Sequence, residues 1–215
     1  INMQYNFRGE NRITTTDSLF LKKEMFDDAK YGMRHSIPIS TNFKVLKHLS
    51  VSMNGNYEEV WTGSTIKRND YDSETGNSGN KVEIKGFDRF SQYNFGMGVG
   101  TTIYGLFNFK KESKIEALRH VIRPSINYSI RPSFDEYYDT YIIDANGNTA
   151  EYTRFEDNFF GLPSRTYSSS IGLQVSNNLE AKVRSKDSLA QESKKITILN
   201  NLNFSTSYNL SLIHI

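Results

Sequence analysis

The side chains that could carry catalysis or bind a metal are few and scattered through the 215 residues. The four histidines, His35, His48, His120 and His214, stand in no His-Glu-x-x-His zinc motif. The sequence has neither a Gly-x-Ser-x-Gly elbow nor a phosphate-binding loop. It has no cysteine, which excludes thiolate metal sites and a disulfide framework. We therefore predict no catalytic residue, no metal centre and no cofactor.

Two further groups have a chemical and a structural interpretation. Gly96, Gly98 and Gly100 form a Gly-x-Gly-x-Gly run, but it lies within a strand pattern, where small residues relieve crowding or permit a bend. The acidic residues at 135–136 and 151–157 could hold a divalent cation, which requires converging oxygens. A solvated loop is the simpler interpretation of the same acidic residues.

The strongest pattern is an alternation of apolar and polar residues with the period 2 of a β-strand. In residues 87–109 the odd positions are mostly aromatic or aliphatic, and the even positions are polar or glycine. In residues 119–134 the parity is reversed, with Ile122 and Ile126 on the apolar face. The same alternation predicts five more strands, at 1–8, 31–45, 49–61, 167–183 and 198–210. With the two above, the predicted strands number seven.

The predicted connections alternate in length. Long polar connections are followed by shorter ones, at 9–30, 46–48, 62–80, 110–117, 135–165 and 184–195. Within the third long connection, Asn146-Gly147 predicts a small surface hairpin. Short turns at one end and long loops at the other are typical of outer-membrane barrels.

Composition limits the class of protein. A net charge of +2 gives no argument for nucleic-acid binding. No apolar run approaches the roughly 20 residues of a membrane helix, and no signal peptide opens the chain. The chain begins at Ile1 inside a predicted strand, so we expect residues 1–215 to be an internal segment of one larger barrel domain. The expected fold is an all-β, antiparallel up-and-down meander of about seven strands, part of a transmembrane outer-membrane β-barrel.

Aromatic residues concentrate near both ends of the predicted strands, as the two interfacial girdles of a barrel do. In a soluble sandwich the same residues would form core and rim. The residues near the short turns are Phe43, Phe107 and Phe109, and those near the long loops are Tyr57, Trp61, Phe87, Phe134 and Tyr167.

One motif is more specific than the alternation. Arg119 and His120 are followed by Arg123 and Pro124, within the run Arg-His-Val-Ile-Arg-Pro-Ser-Ile-Asn-Tyr-Ser-Ile-Arg-Pro at 119–132. This run resembles the Arg-His-x-x-x-Pro motif in the barrel of the LPS-assembly outer-membrane protein (LptD) family. The resemblance covers residues 85–210 well, and the first third of the chain only in pattern.

The resemblance implies a component of lipopolysaccharide transport in the cell outer membrane, not an enzyme. It implies lipopolysaccharide, a lipoprotein that plugs the barrel and periplasmic bridge proteins as partners, besides the lipid of the membrane. We expect a wet lumen lined by the polar face, with Asn94, Asn127 and Gln174 as candidate lumen-facing residues. Val99, Ile126 and Leu173 are expected to face lipid.

Three alternatives remain open from the sequence. Another outer-membrane barrel, such as a porin or nutrient receptor, would share the alternation. A barrel enzyme would need an outward-facing histidine beside a serine, and His120 is a poor candidate near a turn end. A soluble, adhesin-like β protein would bury both faces.

Overall fold

The computed structural model describes residues 1–110, 113–184 and 193–211. Two short helical segments, the 3-10 turn Asp17–Leu19 and α1 (Lys23–Asp27), lie between the second and third strands, and a second 3-10 turn is formed by Asp135–Tyr137. The strands are β1 (Asn2–Met3), β2 (Asn6–Arg12), β3 (Lys30–Val45), β4 (Leu49–Arg68), β5 (Lys81–Gly100), β6 (Ile103–Asn108), β7 (Ile115–Arg131), β8 (Tyr138–Ile142), β9 (Thr149–Thr153), β10 (Ser168–Val183) and β11 (Lys194–Asn209). Among the described residues, no helix has the length and apolarity to cross a membrane.

The strands pair in the order in which they occur along the chain. The nine-stranded sheet has the order β1-β3-β4-β5-β7-β10-β11, with β2 also paired to β3 and β6 to β7. The pairs β2–β3, β6–β7 and β10–β11 are antiparallel. β1 and β2 both pair with β3, and β5 and β6 both pair with β7. Each of these two sets corresponds to one predicted strand, so the nine strands match the seven predicted ones. The prediction of an all-β antiparallel meander is confirmed.

The predicted surface hairpin is also present. β8 and β9 pair as a separate two-stranded antiparallel sheet, with Tyr141 opposite Ala150. In its turn, the Asn148 side-chain amide donates to Asp144 at 2.6 Å, and Gly147 adopts a φ of 79°. The Asn148 amide, helped by turn N–H groups, holds the pKa of Asp144 below its usual range. The carboxylate therefore stabilises the turn rather than standing free.

Several boundaries differ from the predicted ones. β4 continues to Arg68 rather than ending near residue 61, and β5 begins at Lys81 rather than 87. β5 and β6 are separated at Thr101 and Thr102. The turn at 46–48 is confirmed, and it places Leu46 and Lys47 at positive φ of 50° and 65°. Parts of the predicted turns 110–117 and 184–195 lie outside the described residues.

Two compact units share the sheet. The first contains Ile1–Ile39, Gly55–Phe95 and Arg131–Ser168, and the second contains Ser40–Asn54, Gly96–Ile130 and, in its described part, residues 169–184 and 193–211. The buried core cluster, Val60, Phe90 and Phe155, belongs to the first unit.

The last strand pair, in the second unit, is irregular in its middle. The register between β10 and β11 shifts on both sides of Leu179, and Asn201 has a φ of 58°. These shifts change which side chains share a face: Leu199 pairs with Leu179, and Ile196 pairs with Ala181. The uninterrupted alternation predicted for 198–210 is therefore wrong before Leu202, because extra residues in β11 reset its parity.

Candidate functional site on the polar face

An open cleft of about 500 Å³ lies on the polar face of the second unit. Its polar side chains come from β3, β4 and β7, while β5 supplies glycine backbone. The polar residues of the lining alternate along each strand, and the intervening Phe43, Val51 and Val99 also line the cleft. The polar lining is Asn42, Lys44, Ser50, Ser52, Ser125 and Asn127.

A second open cleft of about 300 Å³ shares Ser50, Gly100 and Ser125 with the first. Its other lining includes Arg123 and Gln174. We call the two together the polar clefts. Two of the three candidate lumen-facing residues, Asn127 and Gln174, thus line them. The third, Asn94, is exposed in the first unit and lines neither.

The glycines of β5 make room for the polar side chains around them. A β-carbon on Gly98 would lie 2.7 Å from Ser52 Oγ and 2.8 Å from Asn127 Oδ1, both closer than real contacts allow. On Gly100 it would lie 3.3 Å from the β-carbon of Ser125. The glycine run therefore forms the floor of a polar surface. It lies within strand β5, as its position in the sequence predicts.

Two cations on this surface have no ion pair among the described residues. Lys44 lines the first cleft and Arg123 the second, and both side chains are exposed. Most other basic side chains nearby are paired, such as Arg119 with Glu180 and Lys182 with Glu116. The polar clefts thus combine hydroxyl and amide groups with two available positive charges.

The Arg-His-x-x-x-Pro motif of the sequence spans both faces of β7. Arg119 lies 3.8 Å from Glu180 and 5.8 Å from the centre of the Tyr104 ring. His120, opposite Gly105 in β6, hydrogen-bonds through Nε2 to Asn177 Oδ1 at 3.2 Å. Alternation places His120 and Arg123 on opposite faces.

Pro124 lies where the neighbouring strand is interrupted. Its carbonyl accepts a hydrogen bond from the Thr101 N–H at 3.1 Å, beside the gap between β5 and β6. Proline has no N–H to donate to a ladder, which accounts for a break in pairing at this point.

In the first unit the polar face is covered by residues 135–165, which we call the cap. Alternation puts Val60 and Phe90 on the same face as Glu58 and Gln92. Val60 is 0% exposed, and Phe155 of the cap is 1% exposed with its ring centre 4.9 Å from that of Phe90. The cap thus forms an apolar core on a face that the sequence predicted to be wet.

Polar contacts hold the cap to the strand ends. Arg154 donates to Asp88 at 2.7 Å, Arg68 donates to both oxygens of Glu156, and Lys81 lies 2.8 Å from Asp157. The hydrogen bonds from Arg68, against some desolvation, hold the pKa of Glu156 below its usual range.

A second polar connection starts from Glu58, which is buried on the strand face. Arg34 and Gln92 both donate to its carboxylate, and the Gln92 carbonyl accepts from the Ser164 N–H of the cap at 3.2 Å. Sequence reasoning missed the cap contacts. The available signal was the apolar pair Val60 and Phe90 at positions where the alternation requires polar residues.

The other face of the first unit carries a row of aromatic rings. Phe7, His35, Trp61 and Phe87 follow one another with ring centres 5.2, 4.3 and 5.6 Å apart. Tyr57 and Trp61 both donate to Glu59.

Of the aromatic residues expected near the long connections, Trp61 and Phe87 contact each other, whereas Phe134 packs elsewhere. That side chain is 4% exposed and packs edge-on against Tyr93 with ring centres 5.5 Å apart.

Four acidic residues of the cap, Asp135, Glu151, Glu156 and Asp157, pair with cations. Arg165 pairs with Asp135 and Glu151, and Glu156 with Arg68. In the described part of the chain, no three histidine or acidic side chains converge as a metal would need. These carboxylates fasten the cap.

The comparisons with known proteins agree with the motif. A family model described as LptD protein matches residues 1–212. The fold is that of an antiparallel all-β meander. By the family match, the chain belongs to the LptD family. This confirms the resemblance found in residues 119–132, and the family is one of lipopolysaccharide transport rather than of enzymes. Neither the curated proteins nor the solved structures contain a match to the chain.

Proposed function

We propose that this chain forms part of an outer-membrane β-barrel that delivers lipopolysaccharide to the outer leaflet. In this function the polar face lines a hydrated path, and the opposite face contacts lipid. The observation that carries the proposal is the pair of polar clefts, built from alternate residues of neighbouring strands in a member of the LptD family.

The chemistry of the clefts suits the saccharide part of the lipid. Hydroxyl and amide side chains such as Ser52, Asn127 and Gln174 both donate and accept hydrogen bonds, as sugar hydroxyls require. Lys44 and Arg123 supply charges for phosphate or carboxylate groups, and arginine binds such groups through two parallel bonds. Passage needs no bond to be broken, so no catalytic residue is required.

The opposite face suits contact with acyl chains. Ile126 and Leu173 are half exposed in the second unit, and in the first unit the rings of Trp61 and Phe87 lie on the face opposite the cap. Exposed apolar side chains along a strand are unfavourable in water and favourable in lipid. Aromatic rings near strand ends fit the membrane interface.

The family suggests the remaining partners. We propose that a lipoprotein plug and periplasmic bridge proteins work with the full-length protein, and that residues 1–215 are an internal segment of its barrel domain. These partners would supply lipopolysaccharide to the path, while the polar clefts would guide its hydrophilic part.

Adjacent residues on opposite faces provide the test. A photo-crosslinking amino acid placed at Asn127 in the full-length protein should capture lipopolysaccharide in living cells. The same amino acid at Ile126, one residue away on the other face, should capture membrane lipid and not the saccharide. Equal capture of lipopolysaccharide at both positions, or capture at neither, in folded protein would refute the proposed path.

A further inference from the structure

The cap covers apolar side chains that a permanently wet surface would not carry. Val60 and Phe90 share a face with Glu58 and Gln92, yet both are buried against Phe155. Exposing a valine and a phenylalanine to water is unfavourable, so their presence requires a cover. We propose that the cap is a movable closure of the polar face of β4 and β5, which must lift for lipopolysaccharide to be delivered. This inference rests on the proposed function.

The ion pairs that hold the cap closed can break and re-form, because their side chains are accessible to water. Four ion pairs join it to the strands, Arg68–Glu156, Lys81–Glu156, Lys81–Asp157 and Arg154–Asp88, and all of these side chains are partly exposed. Exposed pairs of this kind contribute little stability each, because water and salt compete with them. The buried apolar contact is that of Phe155, with Tyr137 and Phe160 beside it, against Val60 and Phe90, and Phe159 also lies close to Gly32 of β3.

The two ends of the cap are fastened to each other. The Phe134 N–H donates to the Ser164 carbonyl at 3.0 Å, and Ser133 Oγ donates to the Arg165 carbonyl. This neck allows the cap to move as one body about residues 133–134 and 164–165.

The preceding long connection is hydrogen-bonded to the cap. The Tyr71 N–H donates to the Ile142 carbonyl at 2.8 Å, and the Ile142 N–H donates to Asp70 at 2.8 Å. Residues 69–80 and the β8–β9 hairpin therefore form one surface layer. The backbone of the cap is hydrogen-bonded to that of β4 through the Ile66 N–H, which donates to the Arg154 carbonyl at 2.9 Å.

The closed state can be measured by thiol labelling, since residues 1–215 contain no cysteine. Val60→Cys in the folded full-length protein, corrected for labelling of the parent, should react slowly. Asn94→Cys, at an exposed position on the same face of β5, gives the rate of an open site. Val60→Cys reacting as fast as Asn94→Cys in folded protein would overturn the closure.

Paired variants show what holds the cap. Phe155→Ala should raise the labelling rate of Val60→Cys by about tenfold or more, because the variant loses the buried ring that opposes opening of the cap. Leu162→Ala, in the exposed part of the cap, should not. Asp88→Arg should also raise the rate, and Asp88→Arg with Arg154→Asp should restore it. Equal effects of Phe155→Ala and Leu162→Ala would contradict the closure.

The requirement for opening is tested by locking the cap. The side chains of Arg68 and Glu156 lie 2.7 Å apart in the closed cap. In the double variant Arg68→Cys with Glu156→Cys, a short reducible thiol cross-linker should therefore hold the cap shut. Locked, folded protein should lose delivery of lipopolysaccharide to the surface, and reductant should restore it. Normal delivery by locked protein would overturn the inference while leaving the Asn127 path intact. Loss of Asn127 capture in unlocked protein would instead refute the proposed function.

Discussion

A missing β-carbon at Gly98 makes room for two polar side chains on neighbouring strands. An alanine there would press on Ser52 and Asn127 at under 3 Å, whereas a β-carbon on Gly172 would meet its nearest atom, the Thr206 carbonyl oxygen, at an ordinary 3.8 Å. Replacing glycine by alanine stabilises by about 0.4–1 kcal/mol where the site has space. We expect Gly172→Ala to be neutral or stabilising.

Gly98→Ala should instead cost about 1 kcal/mol, since both neighbours must rotate and one hydrogen bond to the Gly98 carbonyl is disturbed. The urea midpoint of the full-length protein, folded in detergent, measures both variants. Matching shifts for the two alanines would show that Gly98 is not crowded.

The unpaired charges make a second prediction at this scale. Lys44→Gln with Arg123→Gln should lower surface lipopolysaccharide several-fold per folded molecule, because the polar clefts lose both cations. Lys110→Gln, an exposed lysine at the end of β6, removes one charge outside the clefts and should have no effect. Surface staining normalised to folded protein measures this, and unchanged staining in the double variant would show that the charges do not guide the lipid.

Among the elements, β11 depends on one residue with unusual backbone geometry. Asn201 has a φ of 58°, its N–H donates to Asn178 Oδ1 at 2.9 Å, and its own side chain accepts from Ser176. Asparagine and glycine tolerate this region, whereas a β-branched residue does not. Asn201→Val should therefore cost about 1–3 kcal/mol.

Asn201→Gly keeps the backbone and loses only the side-chain bond from Ser176, so it should cost less than Asn201→Val. Unfolding of the full-length protein gives the comparison. If glycine proved as costly as valine, the side chain rather than the backbone would determine the bulge.

The cap should respond to acid. The pKa of Glu156 is held below its usual range by Arg68, so this pairing stabilises the closed cap above the pKa of the free carboxyl. The contribution is lost as the pH falls through the lowered pKa. The labelling rate of Val60→Cys is divided by that of Asn94→Cys at each pH, which removes the pH dependence of the reagent, and this ratio should rise in acid.

Glu156→Gln is the matched control for this response. It removes the titrating group, so labelling should already be faster at neutral pH and depend less on acid. An identical acid response with and without Glu156 would assign the effect to another group.

The same elements show how far the sequence could lead. Alternation and loop lengths predicted the strand order, the turn at 46–48 and the hairpin at Asn146-Gly147, because each depends on neighbours in the chain. The cap contacts depend on residues far apart, such as Phe90 and Phe155, which local patterns do not connect. The irregularity beside Asn201 was missed because the two extra residues of β11 shift the parity locally without changing the composition.

Across the described residues, the strands follow seven paths in which polar and apolar side chains largely alternate, and the family model matches residues 1–212. The polar clefts and the exposed apolar side chains acquire a common explanation if one face meets water and the other meets lipid. Of the three residues predicted on the polar face, Asn127 and Gln174 line the clefts and Asn94 does not. Lys44 and the cap were identified only from the structure.

The most direct measurement compares two adjacent residues of β10. Leu173 is 48% exposed on the apolar face, and Gln174 lines a polar cleft. An arginine on the lipid side near the membrane midplane costs about 2–4 kcal/mol, whereas a wet lumen tolerates it. In the full-length protein in cells, a heat-modifiability gel should show that Leu173→Arg loses folded barrel and Gln174→Arg keeps it near the normal level. Equal loss from both substitutions would mean that both faces are buried in protein, and the membrane transport proposal would then be wrong.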